Sequence, residues 1–528
     1  MIYQIFKNQT KSITKAAFIL ALASFASRLL GLIRDHLLAS TFGAGSDLDA
    51  YYAAFRIPDL VYNLVILGAL SAGFIPIFTD YLKNRSSEKA LYFANQVLNL
   101  ILIIVVVICL ILFFVIPYLI PLIVPGFSSD KISLTVRLTR IMLLSPLFLG
   151  VSALFGGILQ SLKNFLVYSL APIFYNLGII FGILFFTDRW GVFGLAWSVV
   201  LGAFLHLLLQ SSASFLLGFR YRWLIAIKEE GIIRLFKLMV PRVLSLAVTQ
   251  INILLLTVIA STLVIGSLAV YNLAFNIYTF PLGIFALSFV VASFPNLSEH
   301  AVKKNWLKFS QKFSLACRQI LFLIIPASIF LYLLKGQLVR VILGAGKFSE
   351  SDIYLTAQVL QWLSLGLFAE SLIFLLTRVF FALEDSLTPF FIGLAGTALR
   401  VLGALILVKK FQVSGLAMGY SFGGFLYLFL LWFFLSRKFN QIDNKISVLG
   451  GVDIFSFIVK IIFISFIAGL VCHLTLDFMK YFVNLRTNLG VFWQGLTGGL
   501  LAIITYLALS YLFNRRILFS FLPRIRAK

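Results

Sequence analysis

Residues 51–57 read YYAAFRI and residues 271–277 read YNLAFNI, so the same order of aromatic and small side chains returns in the second half of the chain. Four more matches follow in the same order: Pro76 with Pro295, GFSSD at 126–130 with GKFSESD at 346–352, Pro172 with Pro389, and GLA at 194–196 with GLA at 415–417. Five matches at nearly one offset indicate an internal repeat that covers most of the chain.

The chain around these matches is very apolar. Of its 528 residues, 61% are hydrophobic and 12% are charged, and soluble proteins usually have about 25% charged residues. Fourteen apolar runs come near the ~20 residues that cross a bilayer as a helix. They lie near 16–39, 59–82, 90–118, 133–160, 167–186, 191–218, 236–263, 268–296, 313–334, 353–381, 387–408, 413–436, 453–478 and 489–513. The sequence therefore predicts an all-α polytopic membrane protein with about fourteen transmembrane helices.

The repeat sets the predicted domain organisation. Six apolar runs fit into one offset, and an even number gives both copies the same orientation in the membrane. We predict parallel six-helix repeats at residues 1–222 and 223–440. Residues 441–528 then hold two additional helices and a basic tail.

The N-terminal region has features of a secretory signal peptide. Lys7, Lys11 and Lys15 precede an apolar stretch, and Ala-Leu-Ala at 21–23 resembles a cleavage site. However, only about seven apolar residues precede that site, which is the lower limit of the ~7–15 residues of an h-region. The helical pattern also continues past the site. We therefore predict a retained first span at 16–39.

The formal net charge is +24, and its distribution predicts the orientation. Most basic residues fall in loops on one side, including those around Lys83, Arg220, Lys303 and Arg437. Because Lys and Arg accumulate on the cytoplasmic side, both termini are predicted to be cytoplasmic. Nucleic-acid binding is not expected, since it needs an exposed polar surface that the sequence does not provide.

The sequence has no signature of an enzyme or a metal centre. The motifs GxxxxGK[ST] and HExxH do not occur, so a built-in ATPase or zinc hydrolase is not expected. Cys109, Cys317 and Cys472 are far apart and form no CxxC pair. We predict no cofactor, no metal and no catalytic residue, and any transport would be driven by a gradient, by the membrane potential or by mass action.

Charged residues share one face of the first span. Ser24, Arg28, Gly31 and Asp35 are spaced by three or four residues, which places them on the same side of a helix. Arg28 lies about twelve residues, or roughly 18 Å, from the cytoplasmic end of the span. A charge at that depth costs about 2.5–3.5 kcal/mol or more. Two interpretations remain: a structural ion pair of Arg28 or Arg34 with Asp35 or Asp49, or a cationic cavity for an anionic substrate, which we favour.

A second charged group surrounds the start of the second span. Arg56-Ile-Pro58 is predicted to break the helix, because proline lacks an N–H donor. A broken backbone at membrane depth occurs only inside protein or beside a wet cavity, and an ordinary solvated loop is the alternative. The second repeat has Asn276 for Arg56 and Ala269 for Asp49. Cavity charge is thus expected in the N-terminal half.

Other charged residues favour structural roles. Asp385 and Thr388, followed by Pro389, are typical of a helix start. His473 and Asp477 are spaced as i and i+4 near the outer end of the thirteenth span. A surface pair is the preferred interpretation there, and a proton relay is the alternative.

The N-terminal motifs also resemble a known family. The segments SRLLGLIRD (27–35), FGAG (42–45) and DAYYAAFRIP (49–58) are similar to the MurJ (MviN) family, and looser agreement continues along the chain. Members of that family flip lipid II, the undecaprenyl-diphosphate-linked precursor of peptidoglycan. The resemblance implies the MOP exporter fold, which is MATE-like, with fourteen helices and a groove for the lipid tail at the last two.

The same resemblance implies a set of substrate-binding residues. Arg28 and Arg34 would line the cavity and meet the diphosphate and sugar-peptide head group, and Asp49 would position Arg34. With Asp35 and Arg56, these residues form the predicted substrate-binding site.

Four positions depart from the family pattern. Tyr62, Leu67, Asn276 and Thr279 stand where charged residues are found in other members. These departures lower the cavity charge of both signs. The sodium site of some members has no acidic counterpart in the seventh span here.

The predicted function is therefore a flippase that moves lipid II from the cytoplasmic to the outer leaflet of the bacterial inner membrane. It would work by alternating access through a cationic central cavity. The alternative is a related flippase or exporter of another lipid-linked oligosaccharide or amphipathic substrate, and a scaffold for cell-wall enzymes is a third, non-transport hypothesis. Expected partners are the lipid-linked substrate, membrane lipids and cell-wall synthesis enzymes.

Overall fold

The computed structural model describes residues 13–68, 73–226, 228–442 and 451–521. Within these ranges the regular secondary structure is helical and no residue lies in a β-strand. The chain forms two compact units, residues 1–269 and 270–528. The helices that begin in the first unit are α1 (Ile13–Phe42), α2 (Ser46–Ala54), α3 (Arg56–Val61), α4 (Ile75–Asn84), α5 (Ser87–Ile123), α6 (Ser129–Met142), α7 (Leu144–Ser161), α8 (Phe165–Trp190), α9 (Val192–Leu216), α10 (Glu230–Ser261) and α11 (Ser267–Pro281). Those of the second are α12 (Ser288–Val302), α13 (Trp306–Leu333), α14 (Lys335–Leu343), α15 (Glu350–Ala382), α16 (Leu387–Phe411), α17 (Val413–Ile442), α18 (Gly451–Met479), α19 (Asn488–Phe513) and α20 (Arg515–Ser520).

The all-helical membrane fold is confirmed, and the span count is twelve among the described residues. Twelve helical stretches there are long and apolar enough to cross a membrane. The predicted spans at 16–39 and 59–82 are not among the twelve. The first lies on α1, which continues through residues 21–23 without interruption. The second lies on α3, a π segment and α4, and residues 69–72 between them are outside the described ranges. The count of fourteen stays a prediction.

Small residues bring α8 and α9 together in the first unit. A Cβ atom added at Gly182 of α8 would lie 2.1 Å from the Cβ of Ser198 on α9. One added at Gly178 would lie 2.5 Å from the Cα of Gly202. The two backbones can approach this closely only because these side chains are missing or small, as is usual between transmembrane helices.

The second unit repeats this packing between α16 and α17. The Cβ position of Gly403 lies 3.3 Å from the Cα of Gly419, and that of Gly419 lies 2.3 Å from the backbone N of Ala404. Gly403 is the repeat equivalent of Gly182, and Gly419 is that of Ser198. Both pairs are separated by the same offset as the two GLA segments. The offset found in the sequence therefore also relates two helix contacts.

Each repeat has a π-helical segment at the same position. Tyr62–Leu67 continues from α3, and Leu282–Leu287 continues from α11. Both lie in the second predicted span of their repeat, at the same offset as the YYAAFRI and YNLAFNI segments. π turns inside α-helices are rare and occur frequently at functional sites.

Long helices of both units expose large apolar side chains. Phe114 and Leu122 of α5 are 70% and 71% exposed, and Phe466 of α18 is 65% exposed. Such surfaces suit contact with lipid rather than water. The predicted domain limits at 222 and 440 rest on the sequence repeat, whereas the compact units rest on packing, so those limits stay a prediction.

Candidate substrate-binding site

Arg34 is the centre of a polar network in the first unit. Its Nε and Nη2 atoms donate to Oδ1 of Asp35 at 3.1 and 2.9 Å, and its Nη1 donates to Oδ1 of Asn176 at 3.3 Å. The Arg34 side chain is 23% exposed and that of Asp35 is 3% exposed. Of the two sequence interpretations, the structure contains the Arg34–Asp35 ion pair, and part of the Arg34 side chain remains accessible.

Asn176 ties this network to α8. Its Nδ2 atom donates to the backbone and side-chain oxygens of Ser27 and to the carbonyl of Pro172, at 3.1–3.3 Å. Pro172 lies four residues earlier in the same helix, while Ser27 and Arg34 belong to α1. One amide therefore fixes both the position of α1 and the direction of the guanidinium. Asn176 was not among the site residues predicted from the sequence.

The predicted charged face of α1 borders open space. Among the described residues, no atom outside the local helix backbone lies within 4 Å of the Cβ position of Gly31. Arg28, Arg34 and Asp35 are three or four residues from Gly31, so they surround this opening on the helix surface. Arg28 is half-buried. A ligand group placed beside Gly31 would be within reach of both arginines.

Asp49 does not position Arg34, contrary to the expectation from the family. Its Oδ2 atom accepts from Lys131 Nζ at 2.7 Å and from the backbone N of Gly266 at 2.7 Å. Its Oδ1 accepts from the backbone N of Ala269 at 2.8 Å. Asp49 pairs elsewhere because a carboxylate is stabilised at the N-terminal end of a helix, here α11, and by a buried cation.

The ion pair of Asp49 with Lys131 is deeply buried, with side chains 2% and 7% exposed. Gly266 completes the arrangement, since its φ is +90° and its Cβ position lies 2.0 Å from the carbonyl oxygen of Ala44. Only glycine fits at that turn. In this structure Asp49 therefore holds the fold together, and a direct contact with substrate stays a prediction.

The predicted helix break around Arg56 is not a full break. Phe55, between α2 and α3, keeps helical dihedral angles (φ −69°, ψ −22°). The N–H groups of Phe55 and Asp59 donate to the carbonyls of Tyr51 and Phe55 at 3.1 and 3.0 Å, so the backbone stays helical through this point. Ile57 and Pro58 are buried, which excludes an ordinary solvated loop, and Arg56 is half-buried beside them.

A second buried ion pair lies in the second unit and was missed from the sequence. Arg400 of α16 donates through Nη2 to Oε2 of Glu370 on α15 at 2.5 Å, and the side chains are 7% and 11% exposed. The guanidinium carbon lies 4.3 Å from the ring centre of Tyr420 on α17. The Cβ position of Gly423 lies 2.6 Å from Cα of Arg400, so glycine makes room for the arginine.

This pair could have been found by the rule that singled out Arg28. Glu370 and Arg400 both lie near the centre of predicted spans, and a charge at that depth pairs with another charge or marks a pathway. The ion pair of Arg400 with Glu370 is buried, whereas the side chain of Arg34 is partly exposed.

The remaining charged motifs have the structural roles that we preferred. Oδ1 of Asp385 accepts from the backbone N of Thr388 at 3.0 Å, and Oδ2 accepts from Lys438 Nζ at 2.5 Å. Burial raises the pKa of Asp385, but these bonds outweigh it and leave the pKa below its usual value. Nε2 of His473 lies 3.4 Å from Oδ2 of Asp477, and both side chains are well exposed.

An apolar groove of about 500 Å³ runs along the second unit. It is lined by α13, α15 and α18; its walls include Ile329, Phe368, Phe466 and Gly469, with His473 at one end. The family suggested a groove at the last two long helices, but α19 does not contribute to the lining. Among the described residues, no three His, Cys, Asp or Glu side chains form a possible metal site.

Comparison with known proteins decides the family. The model of the family described as "Lipid II flippase MurJ" matches residues 38–491, most of the chain. The chain belongs to the MurJ family. The probable lipid II flippase MurJ of Buchnera aphidicola subsp. Acyrthosiphon pisum (strain APS) is 28% identical over 515 residues, covering 96% of this chain and 98% of that protein. The corresponding protein of Thermotoga maritima is 32% identical and covers 83% of this chain and 89% of its own length.

Solved structures agree with the MurJ assignment. A lipid II flippase MurJ in an inward closed conformation matches with a TM-score of 0.77 and 25% identity, over 95% of this chain and all of that one. An inward-facing MATE family multidrug resistance transporter of the MOP superfamily matches in fold, with a TM-score of 0.68 and 16% identity over 81% of this chain and 99% of that one. The predicted MOP-type fold is thus confirmed. The MurJ family model begins at residue 38, so Asp49 and Arg56 lie inside the match, whereas Arg28, Arg34 and Asp35 precede it.

Proposed function

We propose that this protein moves lipid II from the cytoplasmic to the outer leaflet of the cell membrane by alternating access through a cationic cavity. Membership of the MurJ family carries the choice of substrate. The observation that carries the mechanism is the partly exposed side chain of Arg34, whose guanidinium is fixed by Asp35 and Asn176 beside the opening at Gly31.

The charges of α1 suit the head group of lipid II. A diphosphate presents several oxygens that accept charge-assisted hydrogen bonds, and a planar guanidinium can bind two of them at once. Arg34 is ion-paired with Asp35, and Asp59 is a further acidic residue near Arg34 and Arg56. Arg28, Arg34 and Arg56 together supply three positive charges on nearby segments. We assign the diphosphate to these three arginines, with Asp35 and Asn176 as positioning residues and Asp49 as a structural support.

The apolar groove of the second unit suits the isoprenoid tail. Its α18 wall extends from Ile462 to His473, which is about 16 Å along a helix. That length is close to half of the ~30 Å hydrocarbon core of a bilayer. We place part of the tail in this groove while the polar head crosses the membrane.

Membrane potential is the proposed bias on the transport cycle. Each charge that moves across the membrane changes the energy by about 2.3 kcal/mol per 100 mV. A cavity with three arginines and a diphosphate would therefore respond to voltage. The direction in which the potential drives the cavity charges depends on the orientation of the protein, which we predict from the cytoplasmic location of both termini.

Purified protein in liposomes tests the proposal. Fluorescent lipid II is placed on one leaflet, and its crossing is measured with and without an imposed potential. We expect crossing that is accelerated by the protein, changes with the potential and is lost in Arg34→Ala. A matched control is Arg85→Ala, which removes an exposed arginine paired with exposed Glu230.

Two outcomes decide against the proposal. If another lipid-linked sugar crosses rapidly and lipid II does not, the protein is a flippase for a different substrate. If neither lipid crosses faster than in protein-free liposomes, although the protein is folded and inserted, the flippase function itself is excluded.

A further inference from the structure

Residues 219–226, which we call the strap, connect α9 to α10 without forming a helix. The strap reads FRYRWLIA. It contains the predicted boundary between the two sequence repeats, after residue 222. Basic and aromatic side chains alternate along it, a pattern that the proposed transport function does not use.

Two buried asparagines of α5 hold the strap backbone. The N–H of Arg222 donates to Oδ1 of Asn95 at 2.7 Å, and Nδ2 of Asn95 donates to the carbonyl of Arg220 at 3.0 Å. Nδ2 of Asn99 donates to the carbonyls of Arg222 and Leu224 at 2.9 and 3.0 Å. Asn95 is 2% exposed and Asn99 is 0% exposed. Every second carbonyl of the strap is therefore bound by protein.

These bonds hold the strap backbone against α5. Because the protein supplies their hydrogen bonds, these carbonyls do not depend on water. The strap can therefore lie where lipid head groups replace part of the surrounding water.

Three aromatic and apolar side chains of the strap are exposed, whereas Phe219 is buried. Tyr221, Trp223 and Ile225 are 48%, 60% and 50% exposed. We call these three side chains the apolar row. Trp and Tyr are enriched at the boundary between lipid and water, and a row of this kind can insert among the head groups.

The arginines of the strap supply charge beside this row. Arg220 and Arg222 are exposed, and neither has an acidic partner in the described ranges. Their Cα atoms are two residues apart, about 6.6 Å in an extended chain. Two guanidinium groups at that spacing can bind the oxygens of one phosphodiester.

We propose that the strap is a binding site for an anionic phospholipid of the cytoplasmic leaflet, with the phosphodiester on Arg220 and Arg222 and the apolar row inserted among the acyl chains. Asn95 and Asn99 are positioning residues that fix the spacing of the two arginines. The leaflet follows from the predicted cytoplasmic side of Arg220 and Arg222. This lipid is distinct from the transported substrate, whose diphosphate we assigned to Arg28, Arg34 and Arg56.

Native mass spectrometry of the purified full chain tests the site. Dioleoylphosphatidylglycerol or dioleoylphosphatidylcholine is titrated against the wild type and Arg220→Ala/Arg222→Ala. The wild type should bind phosphatidylglycerol more tightly, and the double variant should lose about 30-fold in affinity at this site, as expected for two basic residues of about 1 kcal/mol each. The matched control is Lys83→Ala/Arg437→Ala, which removes two exposed charges on the same predicted side outside the strap.

A second variant, Asn95→Ala/Asn99→Ala, keeps both arginines and releases the backbone. It should reduce the preference for phosphatidylglycerol over phosphatidylcholine. A third variant, Arg220→Lys/Arg222→Lys, should keep part of the affinity for phosphatidylglycerol. The proposal is overturned if the arginine variant binds phosphatidylglycerol like the wild type, if the control pair loses as much, or if soluble glycerol phosphate displaces the lipid. No lipid II is used, so these results are independent of the proposed flippase function.

Discussion

Arg34 depends on a residue far away in sequence for its direction. Asp35 is its neighbour, but Asn176 is 142 residues away and determines where Nη1 points. We expect Arg34→Ala to abolish lipid II crossing in liposomes while the protein stays folded and inserted. Arg34→Lys should retain part of the activity, since lysine keeps the charge but cannot form two parallel bonds to phosphate.

Normal crossing by Arg34→Ala would show that the arginine is not needed in the cavity. Loss of the protein from the membrane would instead show that the ion pair with Asp35 is structural. Asn176→Ala separates these outcomes further, because it leaves all charges in place. It should lower the crossing rate with little change in the amount of protein in the membrane.

Asp49 is expected to matter for stability. Asp49→Ala leaves Lys131 buried without a partner and removes the acceptor for two backbone N–H groups. Breaking one side of a buried ion pair costs about 3–5 kcal/mol. The thermal unfolding midpoint of the detergent-solubilised protein should therefore fall clearly.

Two comparisons check this prediction. Asp49→Ala combined with Lys131→Met should be less destabilised than the sum of the single changes, because residues in contact are not additive. Lys480→Ala, which breaks an exposed pair with Asp477, should change the midpoint little, as exposed pairs contribute about 0–1 kcal/mol. An unchanged midpoint in Asp49→Ala would contradict the structural role.

The candidate site was therefore only partly predictable from its residues. Periodicity placed Arg28, Gly31 and Asp35 on one face of α1, because that is a local property of a helix. The sequence could not show that Lys131 partners Asp49, since the two are 82 residues apart and each could pair with several charges. A motif identifies a functional residue more easily than it identifies the contact that residue makes.

At the scale of helices, close approach between α8 and α9 needs small residues. Gly182→Val should disrupt this contact, since even a Cβ atom would lie 2.1 Å from that of Ser198. We expect a lower yield of folded protein, measured by fluorescence-detected size-exclusion chromatography. Gly336→Val is the matched control, because the Cβ position of Gly336 has no atom within 4 Å; equal yields of the two variants would contradict the packing argument.

The ion pair of Arg400 and Glu370 connects α15 and α16. Arg400→Met alone should destabilise the protein by about 3–5 kcal/mol, since it leaves Glu370 buried and unpaired. Arg400→Met/Glu370→Met should recover most of this loss, because two apolar side chains can replace a buried pair at little cost. The thermal midpoints of both variants measure the difference, and a double variant no more stable than the single one would be inconsistent with a purely pairwise role.

Hydropathy predicted the helices well because crossing a bilayer requires long apolar runs. All twelve stretches that can span the membrane coincide with predicted runs. The π segment at Tyr62–Leu67 was not predictable, since its apolar composition fits an α-helix equally well. The asparagine contacts to the strap were also missed, because hydropathy does not show which backbone an amide binds.

At the scale of the whole molecule, orientation in the membrane is a prediction from charge alone. It is tested with single cysteines and a membrane-impermeant thiol reagent added outside cells. Ile265→Cys should be labelled and Lys304→Cys should not. Both positions are exposed, and the three native cysteines are buried, so the background should be low. Labelling at 304 without labelling at 265 would show that the protein has the opposite orientation. Ile265 is the better position because Gly266 cannot accept a side chain.

The π segments at Tyr62–Leu67 and Leu282–Leu287 lie at the same place in both repeats. A π turn encloses one more residue than an α turn. The side chains that follow each segment are therefore rotated about the helix axis relative to those that precede it. In each repeat, one continuous helical path thus directs the side chains of its two ends towards different neighbours.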